Sequence, residues 1–206
     1  MKNNYPDLKE ILPRLASTMK RLTKAASGNL GSDCYIHAAI AQSILSKLGV
    51  ESRLTAGWAA WRVGPGDSDM ITHAPVESII PQPGGMIYHM WLEIGSRILD
   101  LTTHSFRIKA RHLDMLDGGH TTVVWCPDFL FVDKKSVTPL KDVIQHDAGM
   151  YYYSQQPAVE AIVIDGAPEL DMDDVNAAWM LYQNQDMVAF GPNDVMCITS
   201  VRLIAE

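Results

Sequence analysis

The sequence contains few cysteines, and their spacing indicates no structural framework. The 206 residues include three, Cys34, Cys126 and Cys197, an odd number at wide separations. Such a set makes neither a disulfide network nor the CxxC pair of a structural metal site. A reducing compartment fits these thiols best, and we expect the protein to be cytoplasmic.

Long apolar runs and long basic runs are also missing. No apolar segment approaches the roughly 18 residues that cross a bilayer. The N-terminus leads into a charged amphipathic segment rather than the apolar region of a secretory signal. The net charge is -7 and the isoelectric point is near 5.4, which argues against a broad nucleic-acid-binding surface. We therefore expect neither a membrane nor a nucleic acid as partner.

The first quarter of the chain has the patterns of two helices and a strand. Hydrophobic residues make up 47% of the sequence, enough for a packed core in one domain. Apolar residues at three- and four-residue steps predict a helix over 7–26, with a kink at Pro13, and a second helix over Asp33–Lys47. Val50–Val63 reads as an interior strand.

The rest of the chain gives less regular patterns, and no assignment follows for residues 133–158. The predicted elements are a loop over Gly64–Gly85, a short helix over Arg107–Leu116, a strand over Thr121–Val132 interrupted at Pro127, a strand over Ala161–Ile164, a helix over Pro168–Gln185 and a strand over Val195–Ile204.

The most informative stretch is 88–102, which predicts a β-hairpin. Gly95-Ser96 separates two alternating runs and suits a two-residue turn with glycine at its first central position. This register sets Leu92 opposite Leu99. Alternation then divides the side chains between two faces. One face carries Met90, Leu92, Ile94, Leu99 and Leu101; the other carries His89, Trp91, Glu93, Ile98, Asp100 and Thr102.

On the second face, His89 and Asp100 form a diagonal cross-strand pair, about 7–8 Å apart between backbones. The carboxylate could hold one ring nitrogen of the imidazole and leave the other free, which is part of a catalytic triad. The alternative is the ordinary polar, solvated face of a half-buried sheet.

Cys34 is the candidate nucleophile. It lies in the first turn of the second predicted helix, where free backbone N–H groups and the helix dipole stabilise a thiolate. Cys126 and Cys197 lie in apolar strand patterns and are expected to be buried structural thiols. The alternative for Cys34 is the same, a small buried apolar residue. Together with His89 and Asp100, however, it supplies the three roles of a Cys-His-Asp triad.

These motifs resemble the core of the transglutaminase-like superfamily. The resemblance rests on a helix-borne Cys34, on H-x-W-x-E at His89–Glu93 and on D-x-T at Asp100–Thr102. It implies an α+β fold with a papain-like core at about 28–103, in which N-terminal helices pack on an antiparallel β-sheet. The whole chain would be one domain with a C-terminal α/β extension at about 104–206, in a bacterial branch of the superfamily.

The resemblance also implies a chemistry. Cys34 would attack an amide, peptide or ester carbonyl, His89 would act as general base, and Asp100 would orient the imidazole. A thioester would form and pass to water or to an amine, with a peptide or small amide as substrate and without a cofactor.

Three further residues complete this predicted site. The backbone N–H of Cys34 would supply half of an oxyanion hole, and Asn29 is a candidate for the other half by its proximity in the sequence. Trp91 and Trp58 are predicted to line the substrate cleft.

Two other classes of function stay open at this point. One is a catalytically silent transglutaminase-like module that binds a partner. The other is a metal site, although the candidate ligands have none of the tight spacings of known motifs. These candidates are Cys34, His37, His73, His89, Asp100 and His104.

Overall fold

A computed structural model shows an α+β protein in which helices cover a curled antiparallel sheet. The residues that the structure describes are 7–25, 34–75, 86–145, 147–189 and 195–197.

The helices and strands alternate irregularly along the chain. The helices are α1 (Leu8–Ala25), α2 (Cys34–Lys47), α3 (Phe106–Asp117), α4 (Leu140–Gln145), α5 (Pro157–Asp165) and α6 (Met172–Gln183). The strands are β1 (Arg53–Arg62), β2 (Met70–Thr72), β3 (His89–Ile94), β4 (Arg97–Asp100), β5 (Leu130–Asp133), β6 (Tyr151–Gln155), β7 (Met187–Ala189) and β8 (Val195–Cys197).

Strand β1 organises the main sheet, because three other strands pair with it. The sheet runs β2-β1-β3-β4-β5, with β6 also paired to β1. Gly57 pairs with both His89 and Gln155, so β3 and β6 lie on opposite edges of β1. Ala60 pairs with β2 and with β6, so β2 follows β3 along the same edge. His89 therefore lies where β1 changes partner from β3 to β2.

The predicted hairpin is present in the predicted register. Leu92 pairs with Leu99 and Ile94 with Arg97. Gly95 has φ +58°, the left-handed conformation that a tight two-residue turn requires at its first central residue.

Both faces of this hairpin are buried, each in its own apolar cluster. Met90 and Leu92 pack with residues of α1, α2 and α6. Trp91 and Ile98 pack on the other side, with Phe106 of α3 among their neighbours. The interpretation as a solvated polar face is therefore wrong, because His89 and Asp100 are each only 1% exposed.

Helices α1 and α2 follow their predicted ranges closely, and α1 continues past Pro13 without ending. Ala38 and Ala41 lie in the α2 contact with the sheet, where small side chains allow close approach. The predicted helix over Pro168–Gln185 begins later, at Met172, because the Asp171 side chain caps it by accepting a hydrogen bond from the N–H of Asp173.

Two predictions for the second half of the chain are corrected. The strand predicted over Ala161–Ile164 lies inside α5, which starts with proline in its first turn. The strand predicted over Thr121–Val132 is confined to β5, and residues before it bond elsewhere: the N–H of Val124, for example, donates to Val63 O. Strand β6, in a segment whose sequence pattern supports no assignment, completes the sheet.

The residues after 103 belong to the same sheet and core as those before. They supply β5 and β6, and α6 places Val175 and Leu181 in the cluster formed with α1 and α2. None of the helices within the described ranges has the length and apolar character needed to cross a membrane. Some predicted residues lie outside the described ranges: residue 26 of the first predicted helix, Asp33 of the second, Asn29, 76–85 of the predicted loop, and 198–204 of the last predicted strand.

Candidate active site

The three residues of the predicted triad lie at the ends of their elements. Cys34 is the first residue of α2, His89 the first of β3 and Asp100 the last of β4. The hairpin brings the last two together, since its register makes them diagonal neighbours on one face. Helix α2 packs on the opposite face of β3 and brings the thiol to the start of that strand.

The imidazole of His89 joins the carboxylate to the thiol. Its Nε2 lies 2.9 Å from Asp100 Oδ2. The Cys34 thiol and the same ring shift each other's pKa, which indicates that the two side chains lie close together. Because Asp100 occupies Nε2, Nδ1 is the nitrogen left for the thiol, and it is buried without a hydrogen-bond partner in the part of the chain that is described.

Asp100 is held by four hydrogen bonds. Its Oδ1 accepts from the backbone N–H and the hydroxyl of Thr102, each at 2.8 Å. Its Oδ2 accepts from the Tyr153 hydroxyl at 2.7 Å as well as from His89. Burial raises the pKa of this carboxyl, but the charge and hydrogen bond of His89, with Thr102 and Tyr153, outweigh burial and lower the pKa. The group is therefore an anion that fixes the ring.

Tyr153 extends the site beyond the predicted triad. Its hydroxyl donates to Asp100 and accepts from Trp61 Nε1 at 2.8 Å. Burial and the charge of Asp100 raise the pKa of Tyr153 well above its ordinary value, so the phenol stays a neutral donor. No sequence pattern assigns Tyr153 to the site, although a run of three tyrosines is typical of a strand.

Aromatic rings enclose the His89–Asp100 pair. Trp61 meets the His89 ring edge-on, with centroids 4.9 Å apart, and Trp91 stacks on its other side at 6.2 Å. These rings exclude water, which strengthens the electrostatic interactions inside the site. Trp91 is only 2% exposed, so the structure shows it packing around the pair, and its predicted place in a substrate cleft stays a prediction.

Trp58, the other predicted cleft residue, lies on the opposite face of β1 from this aromatic group. It is three residues from Trp61, and residues separated by an odd number point to opposite faces of a strand. Trp61, which contacts His89, is therefore the tryptophan that β1 contributes to the site.

The thiol and the imidazole shift each other's protonation. Burial raises the pKa of Cys34, but the hydrogen bond and charge of His89, the Met90 backbone N–H and the charge of Lys109 outweigh it and lower the pKa. Burial lowers the pKa of His89, but Asp100 and Cys34 outweigh it and raise the pKa to about 9. Both shifts favour a thiolate beside an imidazolium.

Two residues that the triad pattern did not include lie next to His89. His73, just after β2, stacks on the His89 ring with centroids 5.5 Å apart. The Lys109 ammonium, from α3, donates to Nε2 of His73 and lies 6.0 Å from the Trp61 ring centroid. No local signal marked Lys109, because a lysine in an amphipathic helix is ordinarily solvated.

The metal-site hypothesis finds no support in the described part of the chain, where no three His, Cys, Asp or Glu side chains are placed to share an ion. Two of its candidate ligands make other hydrogen bonds. Nε2 of His37 lies 2.5 Å from the Thr23 hydroxyl, and Nδ1 of His104 donates to Leu101 O at 2.9 Å.

The sequence matches no known family, and no curated protein matches it. A crystal structure named as that of genomics target APC5867 has a similar fold, with a TM-score of 0.57. The likeness covers 84% of this chain and 78% of the other, at 14% sequence identity. At that identity the similarity bears on the fold alone.

Proposed function

We propose that this protein is a thiol-dependent hydrolase or acyltransferase of the transglutaminase-like superfamily, acting on an amide, peptide or ester bond. The observation that carries the proposal is the buried His89, held by Asp100 at 2.9 Å on Nε2 and interacting with the Cys34 thiol. A papain-like core is part of this proposal, supported by a helix that begins with the thiol and packs on an antiparallel sheet.

In the proposed mechanism, His89 takes the proton of the Cys34 thiol and the thiolate attacks the substrate carbonyl. The tetrahedral intermediate collapses to a thioester as the leaving group takes a proton from His89. Water or an amine then attacks the thioester and releases the acyl group. Asp100 keeps the ring in orientation and stabilises its charged form. The chemistry needs no cofactor, and a peptide or small amide is the proposed substrate.

The oxyanion of the intermediate needs hydrogen-bond donors. We assign one to the backbone N–H of Cys34, at the start of α2, where helical N–H groups have no intrahelical acceptor. Such a donor typically raises the reaction rate by a factor of about 10²–10³. Since this chemistry needs a reduced thiol, we place the protein in the cytoplasm.

The test is acylation by p-nitrophenyl acetate, followed by p-nitrophenol release and by mass spectrometry of the intact chain. We expect a hydroxylamine-labile acetyl group on Cys34 in the wild type. It should be absent in Cys34→Ala and strongly reduced in His89→Ala. Cys126→Ala is the matched control and should behave as wild type, because that thiol lies apart from the imidazole, against the carbonyls of Thr103 and His104.

The same experiment separates the enzyme from a silent binding module. Equal labelling of all three cysteines would contradict the proposal and favour the silent module. Turnover that survives in Cys34→Ala would contradict the assignment of Cys34 as the nucleophile. Adding glycine ethyl ester as an amine distinguishes the two reactions: an amide product indicates transfer, and free acetate alone indicates hydrolysis.

A further inference from the structure

Lys109 is a cation near the proposed triad, in contact with His73, and the triad does not use it. Its ammonium donates to Nε2 of His73, and its charge acts on Cys34 and on Asp100. In the described part of the chain, no carboxylate forms an ion pair with it. The side chain is part-buried, and burial lowers the pKa of Lys109 to about 8 against the opposing charges of Cys34 and Asp100.

None of the described groups around Lys109 neutralises its charge. Burial and the nearby cations lower the pKa of His73 well below its ordinary value, so this imidazole is neutral and orients the ammonium without cancelling its charge. The charge of Asp100 acts on Lys109, but the oxygens of Asp100 already accept hydrogen bonds from His89, Tyr153 and Thr102. A partly desolvated ammonium without a counter-ion favours the approach of an anion.

The position of this cation relates it to the reacting atoms. His73 stacks on His89 at 5.5 Å and Lys109 donates to His73, so one imidazole links the ammonium to the catalytic ring, and the charge of Lys109 acts on the thiol. A negative group of a molecule bound at Cys34 would therefore meet Lys109 in a site with little water, where one charge has a large effect.

We propose that Lys109, oriented by His73, binds a carboxylate of the acyl donor close to the carbonyl that Cys34 attacks. The preferred substrates are then amides or esters that carry a negative charge near the scissile bond, such as acidic peptides. This inference rests on the proposed thiol chemistry, and Lys109 is its specificity-determining residue.

The test compares two small alkylating reagents of nearly equal size, iodoacetate and iodoacetamide. In each reaction the Cys34 thiolate attacks the carbon that bears iodine and displaces iodide into solution. The ratio of the two rate constants reports anion recruitment and cancels changes in thiolate population. In the wild type this ratio at Cys34 should exceed that of free cysteine. In Lys109→Met it should fall about tenfold, the low end of the range by which charged clefts raise encounter rates.

Two variants serve as controls. Lys109→Arg keeps the charge and should keep most of the ratio, while Lys141→Met removes an exposed lysine of α4 and should leave the ratio unchanged. A second measurement needs no variant: glutarate should protect Cys34 of the wild type from iodoacetamide, and the neutral glutaramide should not.

The outcomes distinguish this inference from the proposed function. A wild-type ratio no higher than that of free cysteine would overturn the carboxylate site. So would an equal fall with both reagents in Lys109→Met, since Lys109 would then act only on the thiol. If Cys34 instead reacts with iodoacetamide no faster than Cys126, the proposed thiol chemistry itself fails.

Discussion

At the scale of single residues, the site depends on how one buried carboxylate is satisfied. Asp100 accepts four hydrogen bonds, and only the one from His89 belongs to the proposed reaction. The other three keep the carboxylate charged and in place although it is 1% exposed, because a buried charge without such partners would take up a proton. Thr102 and Tyr153 are therefore positioning residues.

The stability of the protein should depend on pH through His89. Its folded pKa of about 9 lies above the ordinary value of 6.5, so the folded state binds this proton more tightly than the unfolded chain does. The stabilisation is present in full below pH 6.5 and is lost as pH rises through about 9. Raising a pKa by one corresponds to about 1.4 kcal/mol.

Urea denaturation between pH 6 and pH 9.5 measures this effect. The Cys34→Ala change removes the thiol, which titrates with the opposite sign, and leaves Asp100 to raise the pKa of His89. The free energies of unfolding of Cys34→Ala and of Cys34→Ala with His89→Gln should therefore converge as pH rises. The titration of Lys109 changes stability in the opposite direction to that of His89. It occurs in both proteins, however, and so cancels from the difference between their free energies of unfolding. A difference that stays constant across this range would show that the His89 pKa is not raised.

At the scale of elements, contacts distant in sequence decide between helix and strand. The apolar run Ala161–Ile164 is helical because α5 packs against β1. Glu160 fixes that contact: it accepts from the backbone N–H of Ala56 at 3.0 Å and from Arg53 at 3.0 Å. Arg53 also pairs with Glu93 of the H-x-W-x-E motif, at 2.9 Å, which ties β3 to β1.

Gly57 pairs with both neighbouring strands, with His89 of β3 and with Gln155 of β6. A Cβ there would lie 2.1 Å from the backbone oxygen of Ser154, so Gly57→Ala must displace β6 and with it Tyr153. We expect a loss of about 1–3 kcal/mol or more in the free energy of unfolding. We also expect slower alkylation of Cys34, because Asp100 loses the hydrogen bond of Tyr153. Denaturation and iodoacetamide kinetics measure the two effects.

Gly49→Ala is the matched control. Gly49 has φ +73°, but no atom lies within 4 Å of the place that a Cβ would take, so alanine meets only backbone strain of about 1–2 kcal/mol. The alkylation rate of Cys34 should then be unchanged. If Gly57→Ala alters stability and alkylation no more than Gly49→Ala does, the close approach of β6 does not support the site.

At the scale of the whole molecule, the two halves of the chain share one sheet and one core. The second half contributes two strands of the main sheet and the Tyr153 hydroxyl of the site. It also closes the cluster around α1, where Arg21 donates to the carbonyls of Leu181 and Met187.

A chain ended after Met150 should therefore lose cooperative unfolding. It lacks β6, α5 and α6, whose buried residues face α1, α2 and β1. Thermal denaturation followed by near-ultraviolet circular dichroism is the measurement. A chain ended after Ala189 keeps these elements and should still unfold cooperatively. A sharp transition in the shorter chain would mean that the first half folds independently.

Local patterns in the sequence were sufficient to specify part of this molecule. The period-2 alternation around Gly95 specified the hairpin, its register and the His89–Asp100 pair, because side-chain direction in a strand repeats every two residues. The three- and four-residue steps specified α1 and α2, and so the place of Cys34 at a helix start. The proposed triad could be assembled from these patterns alone.

The remaining features follow from long-range packing. Tyr153 is 53 residues from Asp100, and Lys109 is 36 from His73, so no periodicity relates them. Helix α5 has a short apolar run that suits either state, and packing against β1 settles which one forms, whereas strand β6 takes its place by pairing with β1. Local pattern sets the direction of a side chain, whereas its partners depend on which distant elements pack together.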